Sequence, residues 1–201
     1  MTTTSKFKTC YIIGNPVEHS LSPAMHNAGY KALGISNKFK YLKKQVKPEY
    51  LEDEIDKLYN PNICGASVTI PYKEKVLPYL DKTDKVAKTI EAVNTIVNIG
   101  GELVGYNTDW LGVIQPLENT IKKIFPGDKK GLKDKQVAVL GSGGAAKAAL
   151  YGFAKQGAHI RLFSRNPGRI KKLAKKCRCK FSDLDQIHLI QKYNIIFNAT
   201  N

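Results

Sequence analysis

The sequence predicts an α/β fold built as two units with mostly parallel sheets. Three observations predict it. Short apolar runs alternate with helix-like stretches along the 201 residues, the pattern of repeated strand–helix units. A Gly-rich turn, Gly141-Ser142-Gly143-Gly144-Ala145-Ala146, sits between an apolar run and a small-residue helix. Four polar clusters in the first half lie at strand ends or helix starts, where α/β folds gather ligands.

The elements follow in order. Thr9–Gly14 reads as an apolar strand. Ser22-Pro23 opens a helix, with Ser22 as N-cap and proline at the first helical position, and Gly34 is placed to end it. Lys38–Val46 is a second strand, and Pro48–Tyr59 a helix with acidic residues in its first half, as the helix dipole favours. Ile63–Ile70 is a third strand, stopped by Pro71. A helical stretch from Lys73 to Leu80, interrupted by Pro78, and a short helix over 84–91 follow. Asn94–Asn98 and Glu102–Tyr106 form a hairpin around Ile99-Gly100-Gly101. Asp109 leads a helix to Ile124. Gln136–Leu140 is a strand, Ala145–Gln156 a helix, Ala158–Phe163 a strand, Gly168–Lys176 a helix and Gln191–Ala199 a strand. Residues 1–112 are expected to bind substrate. Residues 113–201 are expected to form a Rossmann-like cofactor domain, incomplete at its C-terminus because only about half of a six-stranded dinucleotide fold has been laid down by Asn201.

Hydrophobic residues make up 42% of the chain, enough for one large or two small cores. No run of about 18 apolar residues could span a membrane. The N-terminus reads as a short polar tail rather than a signal peptide, so a cytoplasmic location is expected. Cys10 and Cys64 lie in apolar strands, and Cys177 and Cys179 form a C-x-C pair that fits neither a zinc site nor a redox C-x-x-C. Free thiols in a reducing compartment are expected. His19 and His26 lack metal-ligand spacing, and no metal is expected.

The formal net charge of +15 raises the question of nucleic acid. Its distribution points elsewhere. Residues 1–112 carry 14 Lys+Arg against 12 Asp+Glu, whereas residues 113–201 carry 18 against 5. Part of the excess is KKLAKKCRCK, Lys171 to Lys180, read as a solvated helical face. No basic patch interleaved with aromatics accompanies it. A positive field in this half suits a polyanionic cofactor and an acidic substrate.

The Gly-rich turn has the G-x-G-x-x-G/A form in its required setting of strand, turn and helix. Gly141 permits the tight turn, Gly143 lets a pyrophosphate approach the backbone, and the small Ala146 lets helix and sheet pack closely. Free N–H groups at the helix start suit the phosphates. NAD sites carry an acidic residue about 20 positions on. Here that place reads Phe163-Ser164-Arg165-Asn166, with Arg169 one helical turn beyond. Guanidinium groups suit a 2′-phosphate, so NADP is expected over NAD.

In the first half, GNPVEHSLSP, GASVTIPYKE, AVNT and GYNTDW precede GSGGAA. In this order and spacing they resemble the shikimate dehydrogenase family, from about residue 10 to the end. The resemblance implies an N-terminal α/β substrate domain and a Rossmann-like NADP domain. It implies that Ser20 and Ser22 bind the shikimate carboxylate, and that Thr69, Asn94 and Asp109 bind ring oxygens. It makes Lys73 the catalytic lysine, paired with Asp109. It also implies that Gly141, Ser142, Gly143, Gly144 and Ala145 hold the pyrophosphate, and that Ser164, Arg165, Asn166 and Arg169 hold the adenosine 2′-phosphate. The implied reaction is reversible NADPH-dependent reduction of 3-dehydroshikimate, a step of chorismate and aromatic amino acid biosynthesis. The GYNTDW form is similar to enzymes fused to other shikimate-pathway domains. A quinate dehydrogenase of the same family and a non-catalytic binding fragment are the rival readings.

Overall fold

In a computed structural model, residues 7–200 are described. The expected polar tail at the N-terminus lies outside the described residues. The chain divides between Asn107 and Thr108 into two compact units.

The first unit is a six-stranded sheet flanked by short helices. Its strands are β1 (Lys8–Gly14), β2 (Phe39–Gln45), β3 (Ile63–Val68), β4 (Lys82–Thr83), β5 (Thr95–Ile99) and β6 (Glu102–Tyr106), in spatial order β2-β1-β3-β5-β6-β4. β1 pairs in parallel with both β2 and β3. β5 runs antiparallel to β3 and to β6, the latter because the Gly100-Gly101 turn folds the chain straight back (φ +63° and +92°). The sheet is therefore mixed. Ile13, Ile55, Tyr72, Val76, Ile96 and Leu103 are fully or almost fully buried in one core. Ile12, Val17 and Tyr41 pack as a separate cluster, as strand alternation requires for Ile12 and Ile13.

Several helices differ from expectation. Helix α1 (Ser22–Ala32) begins with Ser22 inside it, so Ser22 is not the cap. The Ser22 N–H instead donates to Ser20 Oγ at 3.2 Å. Gly34 ends α1 as expected, at φ +69°, with the Ile35 amide reaching back to Tyr30 O. The expected helix over 48–59 is a short α2 (Leu51–Asp56) between two 3-10 turns. The expected helix from Lys73 is only turns and a 3-10 segment, Leu77–Tyr79. Pro78 cannot donate the bond that would extend it. Lys73 is thus a turn residue, not a helix-start lysine. Helix α3 (Lys85–Ile90) is capped by Asp84, whose Oδ1 accepts from Ala87 N at 2.7 Å.

The second unit carries helix α4 (Asp109–Ile124) and a parallel sheet of β7 (Gln136–Leu140), β8 (His159–Ser164), β9 (Lys180–Asp183) and β10 (Ile195–Asn198), in order β10-β7-β8-β9. Helices α5 (Gly144–Lys155) and α6 (Pro167–Cys177) connect the strands. The basic stretch 171–180 is not one helix. Arg178 turns left-handed at φ +52° and the chain enters β9, a strand the sequence pattern did not reveal. A 3-10 segment, Leu184–Lys192, takes in the start of the strand expected from Gln191, so β10 is shorter than expected. Val137, Val139, Leu150, Phe153, Leu162 and Ile170 form the core. A Cβ on Gly152 would meet Ile114 Cγ1 at 2.7 Å, so α5 and α4 pack at backbone distance.

Two outcomes are expected. Gly65 in β3 sits at φ +144°, and an added Cβ would lie 2.0 Å from Ile96 O on β5. Gly65→Ala should therefore lower unfolding stability by about 3 kcal/mol or more, read from urea midpoints. Asp81 Oδ2 accepts from Leu103 N (2.7 Å) and Tyr59 Oη (3.0 Å), and these bonds hold its carboxyl below the usual carboxylate range. With the folded pKa depressed, its stabilising contribution is present above the unfolded pKa and is lost as pH falls through the folded value. Asp81→Asn should flatten the acid limb of a stability-against-pH curve. An unchanged limb would show that Asp81 does not contribute to it.

Candidate functional site

The polar clusters of the first unit share one edge of its sheet. From β1 the chain passes through α1 to β2 on one side, whereas β3 lies on the other. Neighbouring parallel strands whose connections diverge in this way leave a crevice beyond their carboxyl ends. The loop carrying Ser20 and Ser22 follows β1, and the loop carrying Thr69 and Lys73 follows β3. Because β5 runs the other way, its beginning lies at that same edge, with Thr95 opposite Ser67. Asn94 is thereby placed beside the loop after β3. β6 ends there too, Tyr106 opposite Thr95.

Backbone bonds fix these segments to one another. Thr69 N donates to Ile13 O (2.9 Å), Asn15 N to Ile70 O (2.9 Å), Val68 N to Asn94 O (2.8 Å), Asn94 N to Tyr106 O (3.0 Å) and Val93 N to Lys73 O (2.6 Å). Ser20 Oγ donates to Ser22 Oγ at 3.1 Å, so the two hydroxyls form a pair. Lys73, Thr69 and Asn94 are each half-buried. Buried Asn107 donates from Nδ2 to Ala92 O at 2.9 Å, which holds the end of β6 against the segment before Asn94. Asp109 is the first residue of α4 in the second unit and is half-buried. Thr108, not Asp109, occupies the cap position.

Two supports escaped the sequence pattern. Gly14 ends β1, and a Cβ there would lie 2.4 Å from Thr69 Cγ2. Its position after an apolar strand was the available signal. Tyr72 is fully buried, and its hydroxyl donates to Val46 O beyond β2. Burial pushes its phenol pKa up, against an opposing hydrogen bond from Asn15. Nothing local distinguishes such a tyrosine from an exposed one between Pro71 and Lys73. His26 stacks on Tyr41 with ring centroids 4.2 Å apart, a packing role.

In the second unit the Gly-rich turn also lies where connections diverge. β7 leads through α5 to β8 on one side, and β10 lies on the other. Gly141 has φ +110°, and a Cβ on it would meet Ala199 O at 2.8 Å. Gly143 differs: its φ is −83°, and a Cβ would meet nothing within 4 Å. The space before the start of α5 is therefore open to a group approaching the backbone. Gly144 and Ala145 begin α5, whose first N–H groups have no acceptor within the helix. These features fit a pyrophosphate.

The residues after β8 close on this turn. Ser164 Oγ donates to Ser142 Oγ at 3.3 Å. Asn166 Oδ1 caps α6 through Arg169 N at 3.0 Å. Arg169 Nε donates to Ser142 O at 3.0 Å, which holds an exposed guanidinium beside the turn. Arg165 is exposed at the bend between β8 and α6. Hydroxyl and guanidinium donors are therefore gathered here, and no carboxylate stands among residues 164–169.

Residues 12–96 match a family model described as the shikimate dehydrogenase substrate binding domain, and residues 120–201 match one for shikimate / quinate 5-dehydrogenase. The chain is 46% identical to a shikimate dehydrogenase (NADP(+)) of Halothermothrix orenii over 82% of its own length and 53% of that relative's. It is 38% identical to the Methanocaldococcus jannaschii shikimate dehydrogenase (NADP(+)), over 98% of this chain and 68% of that one. A crystal structure of shikimate 5-dehydrogenase from Thermus thermophilus, in complex with NADP(H) and shikimate, superposes with a TM-score of 0.80. The identity there is 30%, with 96% of this chain and 68% of that chain covered. The chain thus spans between about half and two thirds of the length of these relatives.

The two glycines of the turn should separate fold from binding. Gly141→Ala should cost about 2 kcal/mol or more of stability, since both its φ and the Ala199 carbonyl oppose a side chain. Gly143→Ala should stay within about 1 kcal/mol, the ordinary cost of an unobstructed glycine replacement. Thermal unfolding of the two variants provides the comparison.

Proposed function

The chain belongs to the shikimate dehydrogenase family, and from that premise we propose that it catalyses reversible NADP-linked oxidation of shikimate to 3-dehydroshikimate. The observation that carries the proposal is the convergence of Ser20, Ser22, Thr69, Lys73 and Asn94 on one edge of the first sheet, in a chain that also holds an open Gly-rich turn lined by Arg169.

In this proposal the paired hydroxyls of Ser20 and Ser22 bind the substrate carboxylate, and Thr69 and Asn94 bind ring hydroxyls. An NADP cofactor, when bound, would supply the hydride acceptor for C3 of shikimate. Lys73 takes the proton of the C3 hydroxyl as the carbonyl forms, and returns it in the reverse direction. Asp109 is assigned, on family resemblance, the binding of a substrate hydroxyl. The turn 141–145 binds the pyrophosphate. Ser164, Arg165, Asn166 and Arg169 bind the 2′-phosphate. The intact Ser20–Ser22 pair favours shikimate over quinate, whose extra C1 hydroxyl would crowd it. A reducing compartment such as the cytoplasm suits the free cysteines, Cys10, Cys64, Cys177 and Cys179.

The test is shikimate-dependent NADP reduction, with quinate as the comparison substrate. Lys73→Ala should lower turnover about 10²–10⁴-fold, the usual worth of general acid–base assistance, with little change in KM. Near-normal turnover would remove Lys73 from the chemistry. Arg165→Ala with Arg169→Ala should cut the preference for NADP over NAD by about tenfold or more, as expected for lost charge-assisted bonds. Equilibrium titration with each dinucleotide reads this independently of turnover, and an unchanged preference would overturn the 2′-phosphate assignment.

A further inference from the structure

The second unit has a cavity of about 860 Å³ at the opposite end of its sheet from the Gly-rich turn. Gln136, His159 and Lys180, the first residues of β7, β8 and β9, all line it. The turn lies beyond the other ends of these strands. The length of β8, about 17 Å at the usual rise per residue, separates the two places.

The lining is cationic. Arg161, Arg178, Lys180 and Lys192 contribute to it, with His159, and among the described residues no carboxylate does. Asp134 approaches His159 Nε2 at 4.0 Å from outside the lining. Arg178, Lys180 and Lys192 are exposed, so their charges are hydrated and mobile. Arg161 is different. It is half-buried in mid-strand, and one terminal nitrogen donates to buried Ser182 Oγ at 2.8 Å. Its Nε is buried without a hydrogen-bond partner. That atom is enclosed, so a ligand in the cavity would meet the charge of the guanidinium, held in place by Ser182, rather than this donor. Tyr193 adds an aromatic wall, packed edge-on against Phe163 at 6.2 Å between centroids. The volume lies in the range that takes drug-sized or nucleotide-sized ligands.

We infer that this cavity is a second anion site, separate from the dinucleotide turn, and that it takes a phosphorylated small molecule. Arg161 is the fixed contact. Arg178, Lys180 and Lys192 supply the field that attracts the ligand, and Tyr193 packs on its non-phosphate part. The site also gives a place to some of the excess positive charge of residues 113–201. The inference does not depend on the cofactor proposal, because the two sites have no residue in common.

The test is calorimetric titration of the full chain with inorganic pyrophosphate at low ionic strength. A saturable component should persist in Gly143→Val, which obstructs the dinucleotide turn. Arg161→Met should weaken that component about ten- to hundredfold, as expected for loss of hydrogen bonds to a charged group. Lys180→Ser with Lys192→Ser, both at exposed positions and therefore safe for folding, should weaken it and reduce its salt dependence. Disappearance of all saturable binding in Gly143→Val would overturn the inference, as would no saturable binding at all. So would binding unmoved by both Arg161→Met and the double lysine variant. Loss of dinucleotide binding in Gly143→Val with the pyrophosphate component retained would support two separate sites.

Discussion

An absent Cβ at the end of the first strand of each unit is the constraint on which the sites depend. Gly14 lets the Thr69 methyl come within a distance that no side chain would allow. Gly141 does the same for the Ala199 carbonyl. In both units the strand concerned is flanked by two parallel neighbours. Closing the backbone there draws the two following loops together and leaves their polar groups facing outward from the sheet edge. A crevice of this kind forms wherever parallel connections diverge, and the glycines set how narrow it is.

Backbone bonds and buried polar anchors are prominent among the supporting contacts. Thr69, Lys73 and Asn94 are each placed by main-chain bonds to a neighbouring segment, and Ser20 by a hydroxyl pair. Tyr72 and Asn107 act behind them from fully or almost fully buried positions. The second unit repeats the logic with Ser142, whose carbonyl fixes Arg169 and whose hydroxyl meets Ser164. Rigid placement of this type is what lets a protein orient substrate and cofactor while the cofactor supplies the hydride chemistry.

Much of this was legible in the sequence because its signals are local. The Gly141–Ala146 turn, helix 109–124 and strand 136–140 follow from periodicity and from residues with narrow conformational tolerance. Other features were not local. The bond from the Ser22 amide to Ser20 Oγ, in place of a cap at Ser22, depends on the path of the loop after β1. β9 is short and follows a lysine-rich helix, so its pattern merges with that of the helix until Arg178 turns left-handed. The segment 73–80 looks helical by composition, but Pro71 and Pro78 leave too few donors for more than a turn. Tyr72 and Arg161 acquire their significance only from burial, which no single-residue signal encodes. The place of Asn94 required knowing that one hairpin reverses strand direction inside an otherwise parallel arrangement.

That hairpin has a consequence for how the chain can vary. Because β5 begins and β6 ends at the proposed ligand edge, the Gly100-Gly101 turn must lie at the far end of the sheet, about 13 Å away at the usual rise for five residues. Neither glycine meets any atom that a Cβ would disturb. The turn is thus a place where length is decoupled from the ligand edge. Loops that are exposed and unpacked accept insertions at little thermodynamic cost. A peptide tag, a reporter or a tethering point placed there would ride on the protein while leaving the ligand edge of the sheet untouched.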